Sequence, residues 1–233
     1  IKTQKLESTG ILAGGIAHDF NNILLGLFGN LSLAKRELSS TDKAFMLVEE
    51  AEKSMSRAQH LTNQLLTFAK GGDPVRKDIP LDQLVRETAL FHLAGSNIKI
   101  VLEKPPSLWR IRADKGQISQ VIANLVINAR QAMPNGGNLN ISLENTVISE
   151  QDFSSFELDQ YVKLSISDQG TGIPEKYLDK IFDPYFTTKQ DGSGLGLAIV
   201  HSIILKHNGY IFVTSNLKSG TCLEIYLPSA EQE

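Results

Sequence analysis

Tyr161-Val162-Lys163-Leu164-Ser165-Ile166-Ser167-Asp168-Gln169-Gly170-Thr171-Gly172-Ile173-Pro174 is the stretch that decides the fold of this 233-residue chain. Val162, Leu164 and Ile166 alternate with polar residues, the period of a strand with one buried face. Asp168 keeps their parity, so its carboxylate turns toward the apolar side at the strand's end. Gly170 and Gly172 then form a turn. A buried carboxylate needs a donor. The exocyclic amine of a purine is one candidate, and the backbone of the glycine turn is the other.

Upstream, Asp114 and Gln117 make a capping box that opens a helix running to about Met133. Ile118, Val121, Ile122, Leu125, Ala129 and Ala132 form its buried stripe. Asn124, Asn128 and Gln131 share one flank, at i, i+4 and i+7. Such amides either satisfy one another or face a ligand, and an amide oxygen suits Mg²⁺. Downstream, Ile181-Phe182-Asp183-Pro184-Tyr185-Phe186-Thr187-Thr188-Lys189 is an aromatic cluster ending in hydroxyls and a lysine. Gly192-Ser193-Gly194-Leu195-Gly196-Leu197 leads into a helix over 194–207. Glycines before a helix present bare N–H groups, the usual phosphate cradle. Around these lie a helix over 81–94, strands over 97–104, 108–113 and 138–147, and a polar loop over 149–160. Two last strands, 210–215 and 221–227, meet near Lys218-Ser219-Gly220. The pattern predicts a mixed helix-and-sheet layer domain.

The N-terminal third has a different period. Ala13, Ile16, Phe20, Ile23, Leu27, Leu31, Ala34 and Leu38 form one helical seam, ending at a Ser39-Ser40-Thr41-Asp42 loop and cap. Phe45, Val48, Ala51, Met55, Ala58, Thr62, Leu65 and Ala69 form a second. One antiparallel pair of helices does not bury both seams, whereas a four-helix bundle from two copies does. Gly71-Gly72-Asp73-Pro74 breaks the helix, which sets domains at 1–72 and 73–233. On the first helix, at about 100° per residue, His18 points away from the seam. Asp19 flanks it, and Asn22 lies one turn further on the same face. Gly14 and Gly15, each costing the helix about 1 kcal/mol, either clear room there or loosen the helix. The other histidines, His60, His92, His201 and His207, carry no assigned role.

A formal charge of −3 gives no electrostatic argument for nucleic acid or an anionic membrane. One cysteine, Cys222, excludes an internal disulfide and fits a reducing, cytoplasmic compartment. No apolar run approaches the roughly 18 residues needed to span a bilayer. Ile1 falls inside a helical pattern, so the expectation is a piece of a larger or membrane-anchored protein.

Together these motifs strongly resemble the two-component sensor histidine kinases over residues 5–228. Asn124–Asn128 is similar to the N box, Asp168–Gly172 to the first glycine box, Phe182–Phe186 to the F box and Gly192–Gly196 to the second. His18-Asp19-Phe20-Asn21-Asn22 is similar to the H box, and Gly220-Thr221 to the family's nucleotide-domain ending. The resemblance implies a dimeric helical hairpin followed by a Bergerat-type α/β sandwich with a mixed sheet. It implies ATP and Mg²⁺ as cofactors, Asn128 on the metal and Asn124 and Gln131 along the triphosphate. Asp168 would accept from the adenine amine, with Gly170, Gly172, Ile173 and Thr221 around the base. A lid over about 175–193 would carry Phe182 and Lys189. Lys189 and the amides near Gly192, Gly194, Leu195 and Gly196 would meet the phosphates.

The implied reaction is autophosphorylation of His18, with Asp19 assisting. Phosphotransfer to an aspartate of a response-regulator receiver domain follows, and Asn22 would serve a phosphatase activity. Many relatives have a proline where this chain has Ile23, a lysine or arginine at Gln131, and a phenylalanine at Tyr185. Lys189, or the off-flank Arg130, would then supply the missing cation. Two other classes fit parts of the sequence, namely an ATP-driven conformational switch and a docking module with a decayed nucleotide site. The His-Asp-x-x-Asn helix argues against the first and the intact boxes against the second.

Overall fold

The computed structural model describes residues 23–39, 42–69, 73–148, 160–189 and 192–230. His18, Asp19, Asn22 and residues 149–159 of the loop expected over 149–160 lie outside the described residues, while Gln160 is the first residue of a strand. The chain divides into two compact units, Ile1–Gly72 and Asp73–Glu233, taken separately below.

In the first unit, residues 23–36 are helical (α1), and Lys43–Ala69 forms α2. Asp42 stands at the expected cap position, but its Oδ2 accepts from Ser39 N–H at 3.0 Å and closes the turn on itself. Ser32 Oγ donates to Glu52 Oε1 at 3.1 Å and Lys35 Nζ to Oε2 at 2.7 Å, tying the helices together. The Lys35 hydrogen bond holds the Glu52 carboxyl below its ordinary range. Ile23, Leu25, Leu27, Phe28, Leu33, Met46 and Leu47 are exposed in the single chain. A lone helical pair has only one face to bury, so these side chains have no cover within it.

The second unit is a five-stranded sheet with helices on one face. Its strands are β2 (Ile98–Glu103), β4 (Gly137–Val147), β5 (Gln160–Ser167), β6 (Tyr210–Asn216) and β7 (Gly220–Pro228), in the order β2-β4-β5-β7-β6. β2 and β4 run parallel and every other pair antiparallel. Leu143, Leu164 and Ile225 are opposite one another in register, each at most 1% exposed. They form the floor on which α3 (Leu81–Leu93), α4 (Lys115–Ala132) and α5 (Gly196–Lys206) rest. Each such fully buried leucine or isoleucine contributes about 1.5–3 kcal/mol.

Three differences from the sequence expectations have local causes. A three-residue strand, β1 (Lys77–Ile79), pairs antiparallel with β3 (Ile111–Ala113); it is too short for a period to register. A 3₁₀ helix, Glu175–Lys180, follows Pro174. α5 begins at Gly196 rather than at 194, because Gly194 has φ +68, outside the right-handed region. The helix expected to open at Asp114 does so: Asp114 Oδ1 accepts from Gly116 and Gln117 N–H at 2.9 and 3.0 Å.

Candidate functional site

α4 supplies one wall of the site. Its stripe Ile118, Val121, Ile122, Leu125 and Ala129 is in the core, and its amide flank runs outward from there. Asn124 is buried, Asn128 half-buried and Gln131 exposed. Asn124 Nδ2 has no hydrogen-bond partner among the described residues. An orphaned buried amide is costly, so this group is open to a further partner. Gly196, first residue of α5, faces the same amides: a Cβ there would stand 3.6 Å from Asn124 Oδ1 and 4.0 Å from Asn128 Nδ2. The N-terminus of α5 therefore opens beside the amide flank of α4, with the partial positive charge that suits an anion. Leu195, just before it, is 2% exposed, so its side chain belongs to the core and only its backbone faces the cradle.

The other end is built on Asp168. Its Oδ1 accepts from Gly170 N–H at 2.8 Å and Thr221 N–H at 3.2 Å, and its own N–H donates to Thr221 O at 2.9 Å. Of the two candidate donors, the backbone of the glycine turn is present, and with Thr221 N–H it occupies Oδ1. Burial raises the Asp168 carboxyl above its ordinary range, opposed by those two N–H groups and by Lys189. Gly170 presses on Ala132 at the end of α4, where a Cβ would come within 2.6 Å. Gly172 (φ +71) lies against Asn216, whose carbonyl oxygen would be 2.1 Å from a Cβ. Only glycine fits there. Ile173 N–H donates to Ser215 Oγ at 2.8 Å.

Between the two ends runs the segment after the 3₁₀ helix. Phe182 stacks on His201 of α5 with ring centroids 5.2 Å apart, and Tyr177 meets Phe186 at 5.5 Å. Phe182 therefore anchors the segment to α5. Tyr185 has φ 66 and an exposed ring, an uncommon backbone state for an aromatic residue. Gly194 fits directly against it, since a Cβ would lie 2.4 Å from the Tyr185 carbonyl carbon. Gly192 N–H donates to Lys189 O at 3.3 Å. Lys189 Nζ reaches α4 and donates to Gln131 Oε1 at 2.6 Å. Desolvation there lowers the Lys189 ammonium below its ordinary range, with Asp168 opposing. Arg130, the rival cation, donates instead to the His92 carbonyl at the end of α3, at 2.8 Å.

Asn124, Asn128 and Gly196 thus gather at one end and Asp168, Gly170, Gly172, Ile173 and Thr221 at the other, with Lys189 on Gln131 between them, where it also acts on Asp168. No cluster of three His, Cys, Asp or Glu side chains able to hold a metal occurs among the described residues. The amide flank nevertheless fits Mg²⁺, which takes one or two protein oxygens and fills its octahedron with phosphate and water. Two residues escaped the sequence reading. Ser215 has the parity of Ile211 and Val213, so a hydroxyl at an inward strand position was the available sign. His207 offered none. It is 3% exposed; its Nε2 accepts from Asp114 N–H at 3.0 Å and its Nδ1–H donates to Ile203 O at 2.8 Å.

Residues 113–231 match the family of histidine kinase-, DNA gyrase B- and HSP90-like ATPases, and residues 9–74 match the His Kinase A (phospho-acceptor) domain. The sensor kinase CckA of Brucella abortus is 34% identical over 239 residues, covering 100% of this chain and 25% of the relative. Sporulation kinase A of Bacillus subtilis is 35% identical over 234 residues, covering 98% and 36%. The chain therefore spans only about a quarter to a third of the length of these relatives. Its fold is that of the histidine kinase ThkA, solved in complex with the response regulator protein TrrA. The TM-score is 0.65 at 24% identity, over 98% of this chain and 64% of that one.

Proposed function

The chain belongs to the two-component sensor histidine kinases, and from that premise we propose that it is an ATP-dependent autokinase and phosphotransferase core. In this reading residues 73–233 bind ATP, while residues 1–72 dimerise and carry the phosphoacceptor. The observation that carries it is the approach of Gly196 to Asn124 and Asn128, a helix N-terminus facing two amides, one of them unpartnered. Asp168 at the far end supplies the acceptor for a base amine.

The reaction has little covalent work for the protein beyond placement and charge. A ring nitrogen of His18 attacks the γ-phosphorus, the bond to the bridging oxygen breaks, and ADP leaves with those electrons. Asp19 orients the ring and takes the proton from its other nitrogen. Asn128 would hold Mg²⁺, which neutralises phosphate charge, and Lys189 would add a cation on the transferring group. The partner is a receiver domain, whose aspartate takes the phosphoryl group from His18. The complex of ThkA with a response regulator supports that class of partner. The exposed apolar residues of α1 and α2 support a homodimer through the hairpin.

Asn22, one turn beyond His18, would position a water that removes phosphate from the receiver. The test follows label from the phosphorylated chain onto candidate receiver domains and then its loss. Rapid transfer to one receiver is expected, with slower loss in Asn22→Ala at unchanged autophosphorylation. No transfer to any receiver contradicts the phosphotransferase reading, and unchanged loss in Asn22→Ala removes that residue from the role.

A further inference from the structure

Ser215, at the end of β6, has three polar neighbours. Its Oγ stands 2.8 Å from Ile173 N, 2.9 Å from Gly220 O and 2.9 Å from Thr221 Oγ1. A serine hydroxyl has one proton and two lone pairs. The Ile173 N–H only donates, so it takes one lone pair. The Gly220 carbonyl only accepts, so it takes the proton. The lone pair that is left faces Thr221, whose own hydroxyl then supplies the proton between them. Ser215 is saturated, and it fixes the polarity of its neighbour. Thr221 gives its proton to Ser215 and has only lone pairs to offer elsewhere. Thr221 is 8% exposed and is joined to Asp168 by a backbone bond in each direction.

We propose that Ser215 is a positioning residue for base selectivity. By holding Thr221 as an acceptor beside the Asp168 carboxylate, it makes the base end acceptor-only and so selects a purine with an amine at position 6. This rests on the reading of Asp168 and Thr221 as the base end of the nucleotide site. A carbonyl at position 6 would meet lone pairs from both groups, and a buried polar mismatch is heavily penalised.

The test compares dissociation constants for ATP and ITP, which differ at position 6 of the base and in the proton on N1, in the whole chain. Circular dichroism monitors folding. In Ser215→Ala the Thr221 proton is freed to meet a carbonyl, and the preference for ATP over ITP falls by about tenfold. Ser215→Thr keeps the hydroxyl and the preference. Thr221→Val removes the group through which Ser215 acts, so it lowers the preference by itself and Ser215→Ala adds nothing in that background. A merely structural role would weaken both nucleotides alike. ATP binding with an unmoved ratio in folded Ser215→Ala overturns the assignment of Ser215 alone. If Ser215→Ala does not fold, an unmoved ratio in Thr221→Val overturns it. Absence of ATP binding by the unaltered chain overturns the site reading and this assignment with it.

Discussion

Lys189, with the off-flank Arg130 as its alternative, is the candidate for the cation that phosphoryl transfer requires, and their hydrogen bonds separate them. Arg130 is committed to the His92 carbonyl, whereas Lys189 crosses to Gln131 on the amide flank of α4. Lys189→Ala should therefore slow autophosphorylation by about a hundredfold, the scale of losing one preorganised charge contact. Arg130→Ala should leave the initial rate within about twofold, and Gln131→Lys should restore much of the loss in Lys189→Ala. Initial rates of label incorporation decide it, and a larger loss in Arg130→Ala than in Lys189→Ala would return the cation to Arg130. The amides, Asp168 and the glycines were legible because residue type and spacing along one element carry their meaning. Ser215 acts on Ile173 across 42 residues of sequence, and no local pattern encodes that meeting.

At the scale of elements, the N-terminus of α4 is a junction. Asp114 caps the helix through Oδ1, and its Oδ2 accepts from Val75 N–H at 3.1 Å. Its own N–H, which Gln117 was expected to satisfy, goes instead to His207, 93 residues on. Arg76 Nη2 donates to Lys206 O at 2.6 Å, so the start of the second unit is fastened to the ends of two helices. Asp114→Ala should cost about 2 kcal/mol, since a cap and an anchor are lost together. Calorimetry on the chain would show the transition of the second unit falling by several degrees, and a change within about one degree would make the junction ornamental.

Burial lowers the His207 imidazole below its ordinary range, and its acceptor role requires the neutral ring. The unfolded chain therefore binds that proton first, so stability is full above the ordinary imidazole value and declines as pH falls below it. Melting temperature should drop between about pH 7 and pH 5, and the drop should be smaller in His207→Gln. A pH profile unaltered by His207→Gln would deny the ring that part. Strands and helices were legible through alternation and seams, including the hairpin that closes the sheet, whereas the parallel pairing of β2 with β4 was not. β1 was not, because three residues hold too little period and its pairing with β3 is what makes it a strand.

At the scale of the molecule, the change of period near Gly71-Gly72-Asp73-Pro74 coincides with the division between Gly72 and Asp73. Among the described residues no helix is long and apolar enough to cross a membrane. The proposed homodimer is supported by the apolar side chains exposed along α1 and α2. Sedimentation should give twice the chain mass, and Leu27→Glu, on the first seam, should give monomers. A monomeric unaltered chain would contradict the bundle.

The central claim is that the nucleotide unit serves His18, and one measurement tests it most directly. The chain is incubated with γ-labelled ATP and Mg²⁺, and the product is treated with acid and with base. Label that acid removes and base does not is expected, absent from His18→Gln while that variant still binds ATP. Undiminished label in His18→Gln, or ATP hydrolysis without any phosphoprotein, would contradict it.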